Sequence, residues 1–257
     1  MRRLLVVGMG MALAVPVAAL ADEDESGEFI TPLIADSPTP DTELIFSHQY
    51  TDEETRSRQT AEVEGEVKIV EGLSVSVQVP YTFIDPDNGP QSSAFDNVEI
   101  AVKFAHTPTR DLLIGGGLEV ELPTGDEEED VGDVRAVGIA PYLDAGIRFG
   151  RAELVGFLFF EVPMNESDAE ADEVDLEIGY NLSFSYAVTD RLWGFVEFDG
   201  SHVAIGEEEK TVVNLSPGVR FAPFGTPDVQ LAASVGFPLT EDREFDMRTL
   251  GQVLIQF

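Results

Sequence analysis

The chain has 257 residues, with 49 acidic against 15 basic side chains, a formal net charge of −34 and no cysteine. That balance excludes nucleic-acid binding, which needs Lys and Arg against phosphate, and the missing cysteine excludes disulfide support for an exported fold. Beyond residue 21 no apolar run approaches the ~20 residues of a spanning helix, so any membrane-spanning form must be built from strands.

Residues 1–21 read as a cleaved export signal. Arg2 and Arg3 form its positive start, Leu4 to Ala19 its apolar run, and Ala19-Leu20-Ala21 a small-x-small cleavage site. A retained helix is the weaker reading, because the run is short and broken by Gly8, Gly10 and Pro16. Residues 22–40 are acidic, contain Pro32, Pro38 and Pro40, and show no period, which predicts a periplasmic lead-in or short plug.

Residues 41–257 then alternate apolar and polar side chains in segments about 15 to 20 residues apart, the period-2 signature of two-sided strands. About twelve strands are expected, with cores at 42–50, 59–70, 73–83, 96–106, 111–122, 135–149, 151–163, 173–188, 191–203, 210–222, 227–237 and 245–257. In one, Val174, Leu176, Ile178, Tyr180, Leu182, Phe184, Tyr186 and Val188 interleave with Asp175, Glu177, Gly179, Asn181, Ser183 and Ser185. The last strand carries Met247, Gly251, Val253, Ile255 and Phe257 on one face. Tight links at 70–72, 107–110, 149–151, 188–191 and 224–228 alternate with longer polar ones at 84–95, 123–134, 164–172 and 204–209. Short periplasmic turns alternating with longer external loops are the outer-membrane arrangement. The expected fold is therefore all-β, an antiparallel transmembrane β-barrel in the outer membrane of a Gram-negative-type bacterium. A soluble sandwich or lipocalin-like barrel would also alternate, but with its apolar face turned inward.

The face opposite the apolar one gives the expected lumen lining. Its acids include Glu62, Glu64, Glu66, Glu99, Glu119, Glu121, Asp144, Glu153, Glu161, Asp175, Glu177, Glu197 and Asp199, and its bases are Lys68, Lys103, Arg148, Arg220 and Arg248. Lys68, Lys103, Arg148 and Arg220 lie toward short turns, so the lumen is either polarised, positive at its base, or cross-linked by opposite charges on neighbouring strands. Two strands carry aromatics on this inner face: Phe157 and Phe159 in one, Trp193 and Phe195 in the other. They form either an apolar patch for a hydrophobic solute or the filling of a narrow barrel, packed partly on the lead-in.

No catalytic residue, metal ligand or cofactor is expected. His48, His106 and His202 read as rim residues, and Ser201-His202 cannot pair because strand neighbours point to opposite faces. The loop Asp126 to Asp133 could attract a divalent cation but lacks EF-hand spacing, and a solvated loop is the default reading. Asp168 to Glu173 and Glu207 to Glu209 make further acidic runs, giving an anionic outer surface. Gly115, Gly116 and Gly117 relieve crowding or allow curvature within a strand.

The strand Asp96-Asn97-Val98-Glu99-Ile100-Ala101-Val102-Lys103-Phe104, followed by Leu118-Glu119-Val120-Glu121-Leu122-Pro123-Thr124-Gly125-Asp126, resembles the outer-membrane family named for the meta-pathway of phenol degradation. Ser37-Pro38-Thr39-Pro40 before Glu43 is similar to that family's Pro-rich lead-in. The resemblance implies an outer-membrane barrel transporter and supplies no catalytic residues. The expected function is a narrow, monomeric passive channel for small solutes, hydrophobic or aromatic ones among them. The alternative is a non-transporting structural or surface barrel with cation-binding acidic loops. Expected partners are outer-membrane lipid, lipopolysaccharide and the barrel-assembly machinery, the last reached through Phe257.

Overall fold

The computed structural model describes residues 29–35, 37–126, 129, 131–132, 137–164, 174–206, 210–224, 226 and 228–257. The signal at 1–21, the lead-in before Phe29, and the acidic runs at 168–173 and 207–209 lie outside the described residues, as does half of the 126–133 run.

Thirteen strands follow in chain order: β1 (Glu43–Asp52), β2 (Arg56–Val70), β3 (Leu73–Pro86), β4 (Ser92–Phe95), β5 (Val98–Thr109), β6 (Leu112–Leu122), β7 (Val137–Phe149), β8 (Ala152–Met164), β9 (Val174–Thr189), β10 (Leu192–Gly206), β11 (Thr211–Phe221), β12 (Val229–Pro238) and β13 (Met247–Gln256). Each pairs antiparallel with its neighbours, and β13 returns to β1 in a register running from Glu43↔Gln256 to Asp52↔Met247. This closes a twelve-stranded ring with β4 as a short appendage on β3. Among the described residues closure leaves the twelve-stranded ring without a free edge, so its strands satisfy their backbone within the wall.

The expected strand cores all fall on observed strands, with ends shifted by a few residues. β4 lies in the expected 84–95 loop, and the structure shows why: Ser92–Phe95 pairs only with the part of β3 that runs beyond its pairing with β5, Tyr81 to Ile84, where Tyr81 and Phe95 meet edge to face at 5.0 Å. The short turn after β2 closes on Gly72, whose φ of 74° is left-handed and whose missing Cβ leaves room for the Ala105 carbonyl.

Apolar side chains face outward all round the ring. Phe46, Val63, Val79, Ile100, Ile114, Leu143, Leu158, Phe184, Phe198, Val219, Leu231 and Phe237 are all exposed. A continuous apolar belt of this kind far exceeds what a soluble monomer leaves uncovered, and it matches the hydrocarbon face of a membrane barrel. The interior is correspondingly polar: Glu43, Glu64, Glu66, Lys103, Asp144, Glu197, Asp199 and Arg220 are buried there. The sandwich alternative, with a dry apolar centre, does not describe this fold.

Candidate functional site

Alternation along each strand sets the inner wall, and the lead-in then fills its lower part. Residues Phe29 to Ala35 and Ser37 to Pro40 run within the barrel at the short-turn end, periplasmic in outer-membrane barrels. The segment enters beside β7 and β8, where the Ile30 N–H donates to Glu153 Oε2 at 2.8 Å. It crosses to β10 and β11. There Leu33 N–H donates to Glu197 Oε1 (2.6 Å) and Ile34 N–H to Oε2 of the same carboxylate (3.0 Å). Beneath them Arg220 Nη2 donates to the Thr31 carbonyl at 2.8 Å and the Gln252 side chain at 3.0 Å. The segment leaves past Asp41, whose N–H donates to Glu66 Oε1 at 2.8 Å, and continues directly into β1.

These partners explain why charged groups tolerate burial. Glu197 and Arg220 are each 1% exposed, and both are bonded to lead-in backbone as well as to the wall. Ser183 Oγ adds a third donor to Glu197 at 3.2 Å. A buried carboxylate is tolerable when several donors surround it.

The remaining expected lining residues fall into three groups. At the base, Lys103 Nζ lies 2.7 Å from Glu66, with both side chains buried, and Arg148 Nε lies 2.7 Å from Glu153. Lys68 reaches sideways to Glu71 in the turn at 3.1 Å. Of these pairs only Arg148–Glu153 links neighbouring strands; Lys103 on β5 reaches past β3 to Glu66 on β2, and Arg248 on β13, toward the long-loop end, reaches Asp199 of β10 at 2.7 Å.

Higher in the barrel, Glu62 accepts from Ser47, Glu64 from Gln78 and Glu121 from Asn97. Glu99 and Glu119 share a cavity of about 150 Å³ with Ile34, Ala35, Ala101 and Phe159. A second cavity of about 250 Å³, on the other side of the lead-in tip, is lined by Glu62, Glu64, Ser47, Gln49, Thr60 and Gln78 among others. Glu177 is half-buried and opposite Glu161 in the β8–β9 ladder, while the Asp175 side chain lies outside those described. Asp144 is buried against Gly115, where a Cβ would stand 2.6 Å from its Oδ1, so the glycine run in β6 relieves crowding.

The third group is aromatic. Phe157 and Phe159 stack at 5.9 Å beside Tyr142, and Phe157 packs with Leu113, Val155 and the lead-in's Phe29. Phe195 packs on Leu33 with Ala232 and Leu250. Trp193 is half-buried opposite Arg220. The inner aromatics at Phe157 and Phe195 are therefore covered by the chain's own lead-in, while Phe159 remains on a cavity wall.

The packing of inner aromatics on the lead-in is among the sequence expectations, but the lead-in's hydrogen bonds to Glu66, Glu153, Glu197 and Arg220, and Tyr142, are not. Tyr142 shares β7 parity with Asp144 and Arg148, a signal that could have found it. The apolar pairs Phe29-Ile30 and Leu33-Ile34 within an acidic stretch were the available hint that this segment is buried. Among the described residues no cluster of His, Asp or Glu is arranged to hold a metal ion.

Solved structures with the same arrangement are bacterial outer-membrane proteins. An outer-membrane channel from Pseudomonas putida F1 superposes with a TM-score of 0.68 at 11% identity, over 86% of this chain and 96% of that one. The chain has the outer-membrane barrel fold. The KdgM porin follows with a TM-score of 0.56 at 9% identity, over 84% of this chain and 99% of that one. The NanC porin gives 0.56 at 8% identity, over 83% and 98%. KdgM has also been solved in complex with disordered oligogalacturonate. No family model matches the chain, and no curated protein does.

Proposed function

We propose that this chain is a narrow, monomeric, passive channel of the outer membrane for small solutes, hydrophobic or aromatic ones among them, and that the lead-in sets its conductance. The observation that carries this reading is a closed barrel whose interior cavities flank a single loop of chain, held to the wall by hydrogen bonds. The smaller cavity has an apolar wall of Ile34, Ala35, Ala101 and Phe159 facing Glu99 and Glu119, a surface that can carry an apolar body past a polar one. The likeness to known channels and porins supports the reading through the fold. The resemblance of residues 96–104 and 118–126 to the phenol meta-pathway family points the same way. Export through the signal at 1–21, and insertion by the assembly machinery reading Phe257, complete the proposal; the Phe257 side chain is 83% exposed at the closing strand's end.

The test is planar-bilayer conductance and liposome swelling, with the mature chain compared against one lacking residues 29–40. The intact channel should pass small ions weakly and the shortened one several-fold more. Absence of conductance from both, in folded protein, would reject a channel.

A second reading, a structural barrel, is favoured by the cross-wall ion pairs Lys103–Glu66, Arg148–Glu153 and Arg248–Asp199, which stiffen the ring. It expects no conductance, and a Mg²⁺-dependent rise in melting temperature through the acidic loops and lipopolysaccharide.

A further inference from the structure

The lead-in's first described side chain sits in a shaped receptor. The Phe29 ring is buried among Leu113, Tyr142, Val155 and Phe157, three of the four on the inner faces of β7 and β8. Its floor is Gly146, where a Cβ would stand 2.9 Å from the ring's Cδ1, so only glycine leaves that plane free. Its lid is Arg148, whose guanidinium carbon lies 4.8 Å from the ring centroid in a cation–π contact, itself steered by Glu153 at 2.7 Å. Beside the ring, the other oxygen of Glu153 accepts the Ile30 N–H. An apolar slot with an open glycine floor, a cation over it and an acceptor beside it are the parts of a small-molecule site. Here they hold a fragment of the chain itself.

We propose that this seat is a binding site for a solute carrying one aromatic ring and a hydrogen-bond donor a few atoms away, and that Phe29 and the Ile30 N–H occupy it as an internal surrogate. The inference rests on the channel reading and names its solute class. The seat lies near the short-turn end of β7, so it forms the last station before the periplasm. Because Phe29 is tethered, it competes at high effective concentration, and a free solute binds only in the fraction of time that the seat is vacant. The solute and the lead-in therefore exclude each other, and binding favours the released lead-in.

The probe is 3-phenylpropanamide, which reproduces the ring, the two carbons and the amide N–H of the Phe29–Ile30 fragment, with 3-cyclohexylpropanamide as its non-aromatic counterpart. Binding is followed by saturation-transfer NMR on the folded chain in deuterated detergent. Phe29→Ala should bind the phenyl compound roughly ten-fold or more tighter than the unmodified chain, since the competitor is gone. Phe29→Leu, which keeps an apolar filler, should gain less. Adding Gly146→Val to Phe29→Ala should abolish binding by filling the floor. On the Phe29→Ala background, Arg148→Met should erase the preference for phenyl over cyclohexyl, and this readout remains if the valine variant does not fold. Equal binding by the unmodified chain and Phe29→Ala, or no phenyl preference in Phe29→Ala, overturns the proposal. If conductance through the chain lacking residues 29–40 persists in that case, the channel reading stands alone. Ring binding without any conductance leaves the seat and removes the channel.

Discussion

Glu197→Gln tests how the lead-in is held. In the native barrel the carboxylate accepts two lead-in amides, Leu33 at 2.6 Å and Ile34 at 3.0 Å, and lies near the buried Arg220. Hydrogen bonds to a charged group contribute about 1.5–3 kcal/mol each. A glutamine keeps the shape and one acceptor oxygen, but turns an NH₂ donor toward one of the two amides. One charge-assisted bond is lost, the other weakened, and Arg220 loses a neighbouring negative charge. Together these should shift the bound-to-released equilibrium of the lead-in by about 2–4 kcal/mol, or roughly 30- to 1,000-fold. Ser183 keeps its contact through the remaining oxygen, so the wall of the barrel should hold. Hydrogen exchange measured by mass spectrometry should show protection of the 31–35 segment falling by that factor, while the strand amides of β10 stay protected. Single-channel recordings should show a parallel rise in open time. Unchanged protection at Leu33 and Ile34 would mean that apolar packing of Phe29 and Leu33, rather than the Glu197 carboxylate, holds the segment.

Lys103→Met strands the buried Glu66 charge and should destabilise the barrel by about 3–5 kcal/mol, seen as a lower temperature for heat-modified gel migration. Lys103→Met with Glu66→Leu should recover much of that loss, and a single variant as stable as the native chain would show that the pair contributes little. The cavity walls carry Glu62, Glu64, Glu99 and Glu119 with no lysine or arginine among their described lining residues, so the channel should prefer cations. Reversal potentials across a KCl gradient should show this, and changing all four to Gln should cut the preference several-fold; anion preference in the native chain would contradict the argument.

Much of the wall was legible in the sequence because a strand's two faces are set by a period of two, and lipid outside with water and charge inside imposes opposite chemistry on them. Leu182, Phe184, Tyr186 and Val188 fall on one face by that rule alone, and all four are exposed. The rule fails where a strand has no second face to satisfy. Ser92–Phe95 stands above the ring, pairs on one side only and carries Ser92, Ser93 and Ala94, so it reads as loop. Pro141 and Pro217 interrupt the ladders they sit in: β7–β8 pairing skips Ala140 and Pro141, and β11–β12 skips Ser216 and Pro217. A missing N–H leaves the alternation intact, which is why both strands are legible in the sequence.

The site was half legible for a different physical reason. Parity assigns a side chain to the interior but says nothing about which interior groups meet across the barrel, and the decisive contacts here join residues 164 and 189 positions apart. The lead-in lacks any period, so its place could be argued only from what the wall needs. Phe157 and Phe195 on an inner face otherwise rich in carboxylates require an apolar cover, because a water-filled lumen would leave them wet. Glu197 and Arg220, buried to 1% exposure, require donors and acceptors that the wall's own paired backbone cannot supply. A segment with two apolar pairs, Phe29-Ile30 and Leu33-Ile34, and unpaired backbone amides meets both needs at once. Strand backbone groups are spent on the ladder, whereas an irregular segment has amides to spare. The wall's buried charges and the lead-in's irregularity are thus two halves of one arrangement, and it can come apart without breaking a single strand–strand bond.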